Sequence, residues 1–329
     1  MMSGSNVQEY IDTPEARLEL ADFLSRTGDL PPTGCSWLAR LSHWWDENPH
    51  AALHPLRGYV VRAEDKMVGF GGAIPTSYSL GDQRFPAIVA TTLRVAEGNV
   101  QAGLNVLLKL RRLGQEVPVA MTTAVPKLRE ALKEMGAKSE TQVTRRLVPM
   151  GGLSRILPGG SGWPTLDSSM RLITSVNDIA DLALPATTAK LLEPTVSLES
   201  LCWQLTTPMH DLHMIGAVDG TRRLHSFLIL RQRPRTMRAF LAWEVVMSWT
   251  ARENAEELRA LSGCLVRDPG LLGERLNWLT TTSFQNDSRW QGSPKLLERQ
   301  EEVCHYFLLP DACREAPKLS MLAEGDLLL

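Results

Sequence analysis

The apolar positions along this chain have a spacing typical of strands in some segments and of helices in others. The clearest change from one spacing to the other lies between residues 87 and 112. Residues Ala87 to Val95 are apolar and rich in β-branched side chains, which is typical of a largely buried strand. Gly98 and Asn99 interrupt this run. From Val100 to Arg112 the leucines recur at helical spacing, and three cations close the segment, where positive charge suits a helix C-terminus. The pattern therefore predicts a strand, a glycine-containing loop and a helix.

The loop between this strand and this helix is the first candidate for chemistry. A strand that passes through a short loop into a helix points several backbone N–H groups at the helix start. An anion is the natural occupant of such a position. An ordinary connection between strand and helix explains a single glycine more simply, so the loop on its own does not establish a binding site.

The same spacings predict further elements on both sides of this unit. Helices are predicted over residues 14–26, 37–45, 126–135, 178–184, 198–204, 254–265 and 295–302. Strands are predicted over residues 59–62, 67–74, 117–123, 142–148, 170–174, 213–218, 224–231, 239–249, 276–282 and 303–309. Gly69, Gly71 and Gly72 indicate a bulge or a close backbone approach in the second of these strands, which Pro75 is expected to end. The tail after residue 309 is expected to pack loosely.

Glycine and proline dominate residues 149–164, which predicts a linker. We therefore expect an N-terminal domain over residues 1–150, a linker over 151–167 and a C-terminal domain over 168–329. The predicted elements follow the same order on both sides, at a spacing of about 160 residues, which indicates a duplicated unit. A chain of 329 residues is long enough for two domains of ordinary size.

Composition narrows the classes of function that this chain can have. It is 43% hydrophobic and 22% charged, so each half can bury a core. Its net charge is −2 and it has no basic run, which argues against nucleic acid as the main partner. Its start has no signal-peptide features and no apolar run reaches about 18 residues, so we expect a cytoplasmic protein without a transmembrane segment. Five dispersed cysteines predict reduced thiols and no metal site.

Five stretches of the chain resemble members of the GNAT superfamily of acyl-CoA N-acyltransferases. They are residues 44–49 (WWDENP), 58–75 (GYVVRAEDKMVGFGGAIP), 90–95 (ATTLRV), 100–105 (VQAGLN) and 121–137 (MTTAVPKLREALKEMGA). The resemblance covers residues 15–150 and extends more weakly over 168–310. It implies an α+β fold with two tandem GNAT-like domains, each a mixed central sheet flanked by helices.

In that family the central strand separates from its neighbour, and the gap receives the pantetheine arm of the acyl donor. The resemblance implies that one group of residues flanks pantetheine and a second group surrounds the pyrophosphate. The first group is Leu93, Arg94 and Val95, and the second is Gln101, Ala102, Gly103, Leu104 and Asn105. The implied donor is acyl-CoA or acetyl-CoA, without a metal.

The loop departs from the family pattern at two positions. The family has Arg or Gln where this chain has Val100, and Gly or Ala where it has Asn105, so only Gly103 fits fully. The loss of a charged partner predicts weaker CoA binding, or a thioester donor carried by an acyl carrier protein. In the second half, residues 252–257 contain three carboxylates and no glycine, so that half is expected to bind a cofactor poorly.

Three residues are the main candidates for catalysis. Glu244 lies in an apolar strand, opposite Thr92 in the repeat, and burial could raise its pKa and make it the general base. A buried salt bridge would explain Glu244 as well. Thr92 could orient the amine or the carbonyl, and Tyr78, or Tyr306, could protonate the leaving thiolate. Ordinary structural roles stay open for all four residues.

These observations predict an N-acyltransferase that moves an acyl group from acyl-CoA, or from an acyl carrier protein, directly to an amine in a ternary complex. The acceptor would be a small-molecule or lipid-like amine. Two alternatives stay open. One is a non-catalytic GNAT-fold binding or scaffold protein, and the other is a Fem-like aminoacyltransferase, which the absence of a basic run disfavours. Gly103→Glu is expected to abolish donor binding with little loss of folding.

Overall fold

In the part of the chain that the structure describes, a mixed β-sheet of 13 strands runs through the centre. The computed structural model describes residues 6–28, 35–122, 128–185, 191–233, 241–251 and 254–324. Helices cover both faces of the sheet, so the chain is an α+β protein. This class is the one that the sequence predicted.

The elements follow one another along the chain with short connections. The strands are β1 (Asn6–Glu9), β2 (Gly58–Ala63), β3 (Lys66–Leu80), β4 (Gln83–Val95), β5 (Val119–Met121), β6 (Lys138–Pro149), β7 (Arg171–Ile173), β8 (Glu193–Pro194), β9 (Leu212–Val218), β10 (Leu224–Gln232), β11 (Ala242–Thr250), β12 (Trp278–Phe284) and β13 (Leu297–Leu308). The helices are α1 (Pro14–Thr27), α2 (Trp37–Trp45), α3 (Val100–Leu113), α4 (Arg129–Glu134), α5 (Leu198–Leu205), α6 (Ala255–Arg267) and α7 (Asp311–Arg314).

The last strands of the two halves are exchanged. The strand order is β1-β2-β3-β4-β5-β13-β6-β12-β11-β10-β9-β7, with β8 beside β3. β13 therefore continues the sheet of the first half, where Tyr306 pairs with Met121 of β5. β6 continues the sheet of the second half, where Arg145 pairs with Thr282 of β12. The two halves share one sheet, while the division at residues 150 and 168 stays a prediction.

Capping residues explain where several helices begin. Thr13 Oγ1 accepts a hydrogen bond from Ala16 N at 3.2 Å, and Pro14 occupies the first helical position of α1. At the start of α5, Ser197 and Ser200 bond to each other's backbone N–H groups in a capping box. The helices then bury apolar side chains against the sheet, but α3 leaves Val100, Leu104 and Leu108 of its predicted apolar stripe exposed.

Apolar clusters lie on both faces of the sheet in each half. In the first half α1 and α2 cover one face and α3 covers the other. In the second half α6 covers one face, and α5 shares the opposite face with residues 319–323 near the C-terminus. The two halves also meet at Trp203 of α5, which donates from Nε1 to His43 O at 2.8 Å and stacks on the His43 ring.

Residues 295–302 do not form the predicted helix. β13 begins at Leu297 and runs to Leu308, paired with β6 over most of its length. The residues of this segment favour a helix by propensity alone. In the sheet Arg299 and Glu301 share a face, where Glu301 forms an ion pair with Arg145 of β6. Tertiary pairing therefore overrides local propensity in this segment.

β3 continues through Pro75 to Leu80, although the sequence predicted that Pro75 ends it. The neighbouring strand β2 begins opposite Gly72, before the proline is reached. Pro75 turns its carbonyl to that side, where it accepts from Asn48 Nδ2 at 2.8 Å. Because β2 does not extend alongside Pro75, the missing N–H removes no ladder bond to it.

The predicted linker packs against the second half. Residues 151–155 form a 3-10 helix, and Trp163 is buried in the cluster under α6. Trp163 Nε1 donates to Gly159 O at 3.0 Å, and Gly159 has a φ of 84°, which a turn of this kind requires. The glycines of this segment therefore form tight turns. Residues 178–184 likewise form turns in place of the predicted helix.

Candidate active site

Strands β4 and β5 separate in the middle of the first half. Their parallel pairing covers only Ile88 with Val119 and Val89 with Ala120. β4 continues to Val95, whereas β5 stays paired with β13 on its other side. Among the described residues, the last residues of β4 have no partner strand on this side and border an opening between two parallel strands. We call this opening the first cleft.

A β-bulge marks the point where β4 leaves β5. Phe70 of β3 pairs with Arg94 and Gly72 pairs with Thr91, so β4 holds an extra residue between these pairs. Thr92 has a φ of 46°, in the left-handed region that few residues other than glycine adopt. A Cβ on Gly72 would lie 2.8 Å from Thr92 Oγ1. The absence of a side chain there permits the bulge, which confirms the sequence prediction.

The residues after the bulge lie on alternate sides of β4. Leu93 and Val95 face α3, where a Cβ on Gly103 would lie 3.3 Å from Val95 Cγ1. Arg94 faces the end of α1, where a Cβ on Gly28 would lie 2.9 Å from Arg94 Nε. That Nε is buried and has no hydrogen-bond partner among the residues that the structure describes. An apolar wall and a guanidinium group therefore flank the first cleft.

The start of α3 lies beside the end of β4 and presents apolar side chains to solvent. Val100 and Leu104 are 72% and 41% exposed, whereas Ala102 and Gly103 are buried against the sheet. Asn99, before the helix, makes no side-chain capping bond. The first-turn N–H groups suit an anion, but the side chains of that turn carry no positive charge, and Glu97 before the helix is exposed.

The two polar side chains of this helix start bond to each other. Gln101 Nε2 donates to Asn105 Oδ1 at 3.1 Å across one helical turn. Of the five residues predicted around the pyrophosphate, these two and Leu104 lie on the outer side of α3. Gly103 lies on the inner side against Val95, so Gly103→Glu would bury a carboxylate there. We therefore expect that variant to disturb folding, contrary to the expectation from sequence.

Two buried hydroxyl groups lie on the β5 side of the first cleft. Tyr306 of β13 pairs with Met121, the last residue of β5, and Thr122 follows directly. Neither hydroxyl oxygen has a hydrogen-bond partner within the described ranges. Burial raises the pKa of Tyr306, so its phenol stays protonated at neutral pH and can donate a hydrogen bond.

Glu244 lies far from the first cleft, near the start of β11. β11 is five strands away from β4 in the sheet, about 24 Å at the usual spacing between strands. Arg231 Nε donates to Glu244 Oε2 at 2.8 Å, and Arg145 pairs with the other carboxylate oxygen. Burial opposes ionisation of Glu244, but the two guanidinium groups outweigh it, and its pKa is lowered. The raised pKa that the sequence analysis expected for a general base is therefore wrong.

Tyr78 lies towards the far end of β3 from the bulge. Its partner on β4 comes seven residues before Thr92, about 23 Å along the strand. The Tyr78 hydroxyl donates to Glu324 Oε1, and Lys318 Nζ donates to the same oxygen at 2.6 Å. Burial, with the Glu324 carboxylate beside it, raises the pKa of Tyr78. The structure therefore does not bring Tyr78, Thr92 and Glu244 together.

The second half contains an equivalent opening between β11 and β12, which we call the second cleft. The parallel pairing of these strands ends at Glu244 with Thr280. A bulge follows, where Val246 falls between the pairs that β11 makes with β10. Val246 therefore corresponds to Thr92 of the first cleft, and Glu244 lies two residues earlier than the repeat alignment placed it.

Residues 318–324 fill the second cleft. Ala323 N donates to Val246 O at 2.8 Å, directly at the bulge. Leu319 and Met321 are 3% and 4% exposed and pack in the same cluster as Val246. The prediction of a loosely packed tail is therefore wrong for these residues, while the last five residues of the chain lie outside the described ranges.

The helix start beside the second cleft differs from that of α3 in its charge. Glu256 and Glu257 lie in the first turn of α6, and Asn254 caps it by accepting from Glu256 N at 3.1 Å. The preceding Arg252 and Glu253 lie outside the described ranges. Carboxylates in the first turn repel an anion. The second cleft thus combines a filled opening with an unfavourable helix start.

The described ranges lack the features of two other kinds of site. They contain no group of three or more His, Cys, Asp or Glu side chains that could hold a metal ion. No helix in them is both long enough and apolar enough to cross a membrane. All five cysteines are free thiols.

Comparison with known proteins finds similar solved structures, but no match to a protein-family model or to a curated protein. The GCN5-related N-acetyltransferase of Anabaena variabilis has a TM-score of 0.60 at 11% identity, over 92% of this chain and 72% of that one. Eis1 of Mycobacterium abscessus has a TM-score of 0.60 at 11% identity, over 93% of this chain and 74% of that one.

A third solved structure covers this chain from end to end. It is the N-myristoyltransferase of Saccharomyces cerevisiae with bound myristoyl-CoA, with a TM-score of 0.50 at 11% identity over 100% of this chain and 85% of that one. Likeness at this level of identity concerns the fold alone. The chain therefore has the GNAT fold, as its sequence resemblance implied.

Proposed function

We propose that this protein is an N-acyltransferase that takes an acyl group from a pantetheine thioester and transfers it to an amine. The donor is an acyl-CoA or an acyl carrier protein thioester, and its pantetheine arm enters the first cleft. The acceptor is a small or lipid-like amine. We place the enzyme in the cytoplasm, in keeping with its dispersed free thiols.

The contrast between the two clefts is the observation that carries this proposal. In the second cleft an extended segment of the chain itself bonds to the bulge, through Ala323 N and Val246 O. The bulge at Thr92 has the same place in the first cleft, and among the described residues no backbone group from outside the sheet bonds to the backbone of Thr92. The amides of a pantetheine arm can form bonds like that of Ala323.

The residues present fit the pantetheine arm better than they fit the rest of CoA. The opening at the bulge offers backbone groups and an apolar wall of Leu93 and Val95. The start of α3 offers N–H groups to a pyrophosphate, but Val100 supplies no positive charge beside them. The donor is therefore held mainly by its arm, and free CoA is expected to bind weakly.

The acyl transfer itself requires few catalytic side chains. The amine nitrogen attacks the thioester carbonyl carbon, the carbon–sulfur bond breaks, and the leaving thiolate takes up a proton. Tyr306 is our candidate proton donor, because it lies on β13 opposite the last residue of β5, its phenol is buried and its raised pKa keeps it protonated. Thr92 and Arg94 lie on the opposite wall, where a hydroxyl and a guanidinium can orient the carbonyl and the acceptor.

A charge at the start of α3 tests the donor site without disturbing the core. Val100 is 72% exposed and lies in the first helical turn, where a carboxylate suits the helix dipole. Val100→Glu should therefore preserve stability, while repulsion of the phosphates weakens octanoyl-CoA binding roughly tenfold. Ile156→Glu is the matched control, because Ile156 is 75% exposed and lies outside the first half.

Calorimetric titration with octanoyl-CoA measures binding, and release of free thiol in the presence of a panel of amines measures transfer. The proposal predicts saturable binding in the wild type and in Ile156→Glu, weaker binding in Val100→Glu, and thiol release that depends on an amine. Binding without thiol release from any amine would favour the scaffold alternative. Equal binding by Val100→Glu and the wild type would remove α3 from the donor site.

A further inference from the structure

The solvent side of α3 carries an unusual row of apolar side chains. Val100, Leu104 and Leu108 are 72%, 41% and 50% exposed. They follow one another at intervals of four residues, so they lie on one side of the helix. Arg111 and Arg112 extend the row by one turn and are also exposed. We call these five residues the outer face of α3.

The outer face of α3 combines exposed apolar side chains with positive charge. Ten large apolar side chains are strongly exposed in the described part of the chain, and three of them lie here. α3 has three cations, which are Lys109, Arg111 and Arg112, and it contains no acidic residue. Glu97 and Glu116 lie beyond its two ends. A surface that runs from apolar to basic suits a partner surface that is apolar and acidic.

The outer face begins where the pantetheine arm would enter. Val100 lies at the start of α3, beside the end of β4 and the first cleft. From Val100 to Arg111 the face extends about 17 Å along the helix axis, which exceeds what one pyrophosphate contacts. A partner on this face is therefore next to the mouth of the first cleft, and its length suits a protein helix.

We propose that the outer face of α3 docks a small acidic carrier protein, which delivers its acyl thioester into the first cleft on a phosphopantetheine arm. This inference rests on the proposed function and names its donor. CoA and carrier proteins share the arm, so the first cleft needs no change to accept either donor. Apolar residues at the start of α3 and cations at its end then replace the contacts that a nucleotide would need.

The test uses substitutions that leave the first cleft intact. The combined variant L108E/R111E/R112E reverses the docking surface two turns or more from the helix start. The control R155E/I156E makes the same kind of change at exposed residues of the predicted linker. The probe is a purified type II acyl carrier protein loaded with an octanoyl-phosphopantetheine arm and labelled for fluorescence anisotropy. Octanoyl-pantetheine serves as the donor without a protein.

The wild type and the control should bind the carrier with equal affinity, and the variant should bind it roughly tenfold or more weakly. Binding to the wild type should also weaken in high salt. With octanoyl-pantetheine as donor, kcat/KM should be the same for all three proteins. Equal affinity of variant and wild type, or no binding of the carrier, would overturn the docking surface.

The two readouts separate this inference from the proposed function. Transfer from octanoyl-CoA and octanoyl-pantetheine without carrier binding would overturn the docking surface and leave the acyltransferase intact. Carrier binding that the variant loses, with no transfer from any of the three donors, would support the surface and overturn the acyltransferase.

Discussion

The two clefts of this molecule share a scaffold, and among the described residues a segment of the chain itself fills the second. Each lies where two parallel strands separate beyond a bulge, at Thr92 in one half and at Val246 in the other. In the second half the backbone of Ala323 bonds to the bulge, and Met321 packs beside it. The comparison teaches that the same polar backbone can serve either a ligand or the protein's own chain. Under the proposed function, residues outside the repeat therefore decide which half binds a donor.

The two clefts also differ in the charge of the side chains at the neighbouring helix start. The start of α3 carries uncharged side chains, whereas Glu256 and Glu257 occupy the first turn of α6. Near the second cleft, Glu244 is held between Arg231 and Arg145, an arrangement that stabilises a carboxylate rather than one that prepares it to take a proton. We therefore propose that the second half does not bind the donor and that Glu244 has a structural role.

The largest effect is expected from Glu244→Gln. Loss of this carboxylate leaves Arg231 without its ion-pair partner and Arg145 with Glu301 alone, and breaking a buried ion pair costs about 3–5 kcal/mol. Urea unfolding at pH 7 measures this cost. Because the pKa of Glu244 is lowered on folding, its contribution is present above the pKa of the unfolded carboxyl, about 4.5, and is lost as the pH falls further.

Thiol release per folded molecule should be unchanged in Glu244→Gln. A fall in turnover of about two orders of magnitude with normal stability would contradict the structural role and return Glu244 to catalysis.

A smaller effect is expected from Met321→Ala in the segment that fills the second cleft. Met321 is 4% exposed, and truncation of a buried methionine costs about 2–5 kcal/mol. Thermal or urea unfolding should show this loss, while octanoyl-CoA binding stays as in the wild type. Leu108→Ala, at a side chain 50% exposed on α3, is the control and should change stability by less than about 0.5 kcal/mol. Tighter donor binding in Met321→Ala would mean that the second cleft also accepts a donor.

The smallest effect concerns pH and the exchanged strand β13, which joins the two halves. His305 is 3% exposed, faces Phe284 and lies opposite Glu140 on β6. Burial lowers the pKa of His305 to about 3, and Lys318 acts in the same direction. An unfolded histidine titrates near 6.5, so its contribution to stability is full above that pH and declines below it, by at most about 1.4 kcal/mol per pH unit.

His305→Gln should therefore lose less stability than the wild type when the pH is lowered from 7 to 5. Urea unfolding at the two pH values measures the difference, which is expected to be about 2 kcal/mol. An identical pH dependence in the two proteins would show that His305 is accessible to protons in the folded state.

Sequence patterns located the elements around the first cleft with good accuracy. The strand from Ala87 to Val95 and the helix after it were predicted because their apolar positions follow one spacing over many residues. The glycines of β3 indicated a bulge or a close backbone approach, because several glycines within one strand have few other local explanations. The helix α2, with its tryptophans at helical spacing, and the capped start of α1 were also predicted from local patterns.

Long-range features were not predictable in this way. The exchange of β6 and β13 depends on pairing between residues more than 150 positions apart, such as Tyr306 on β13 and Ser139 on β6. The apolar residues within 318–324 have no regular spacing, and their burial is explained only by their packing in the second cleft. Glu244 attracted attention as a buried carboxylate, but its partners come from β6 and β10, which local sequence does not reveal.

Hydrogen–deuterium exchange with and without octanoyl-CoA or octanoyl-carrier protein tests most directly that the first cleft alone receives the donor. The account predicts slower exchange over residues 91–104, which span the bulge of β4 and the start of α3, and no change over residues 245–258. Slower exchange over residues 245–258, or over residues 318–324, would contradict it, because the donor would then be bound at the second cleft.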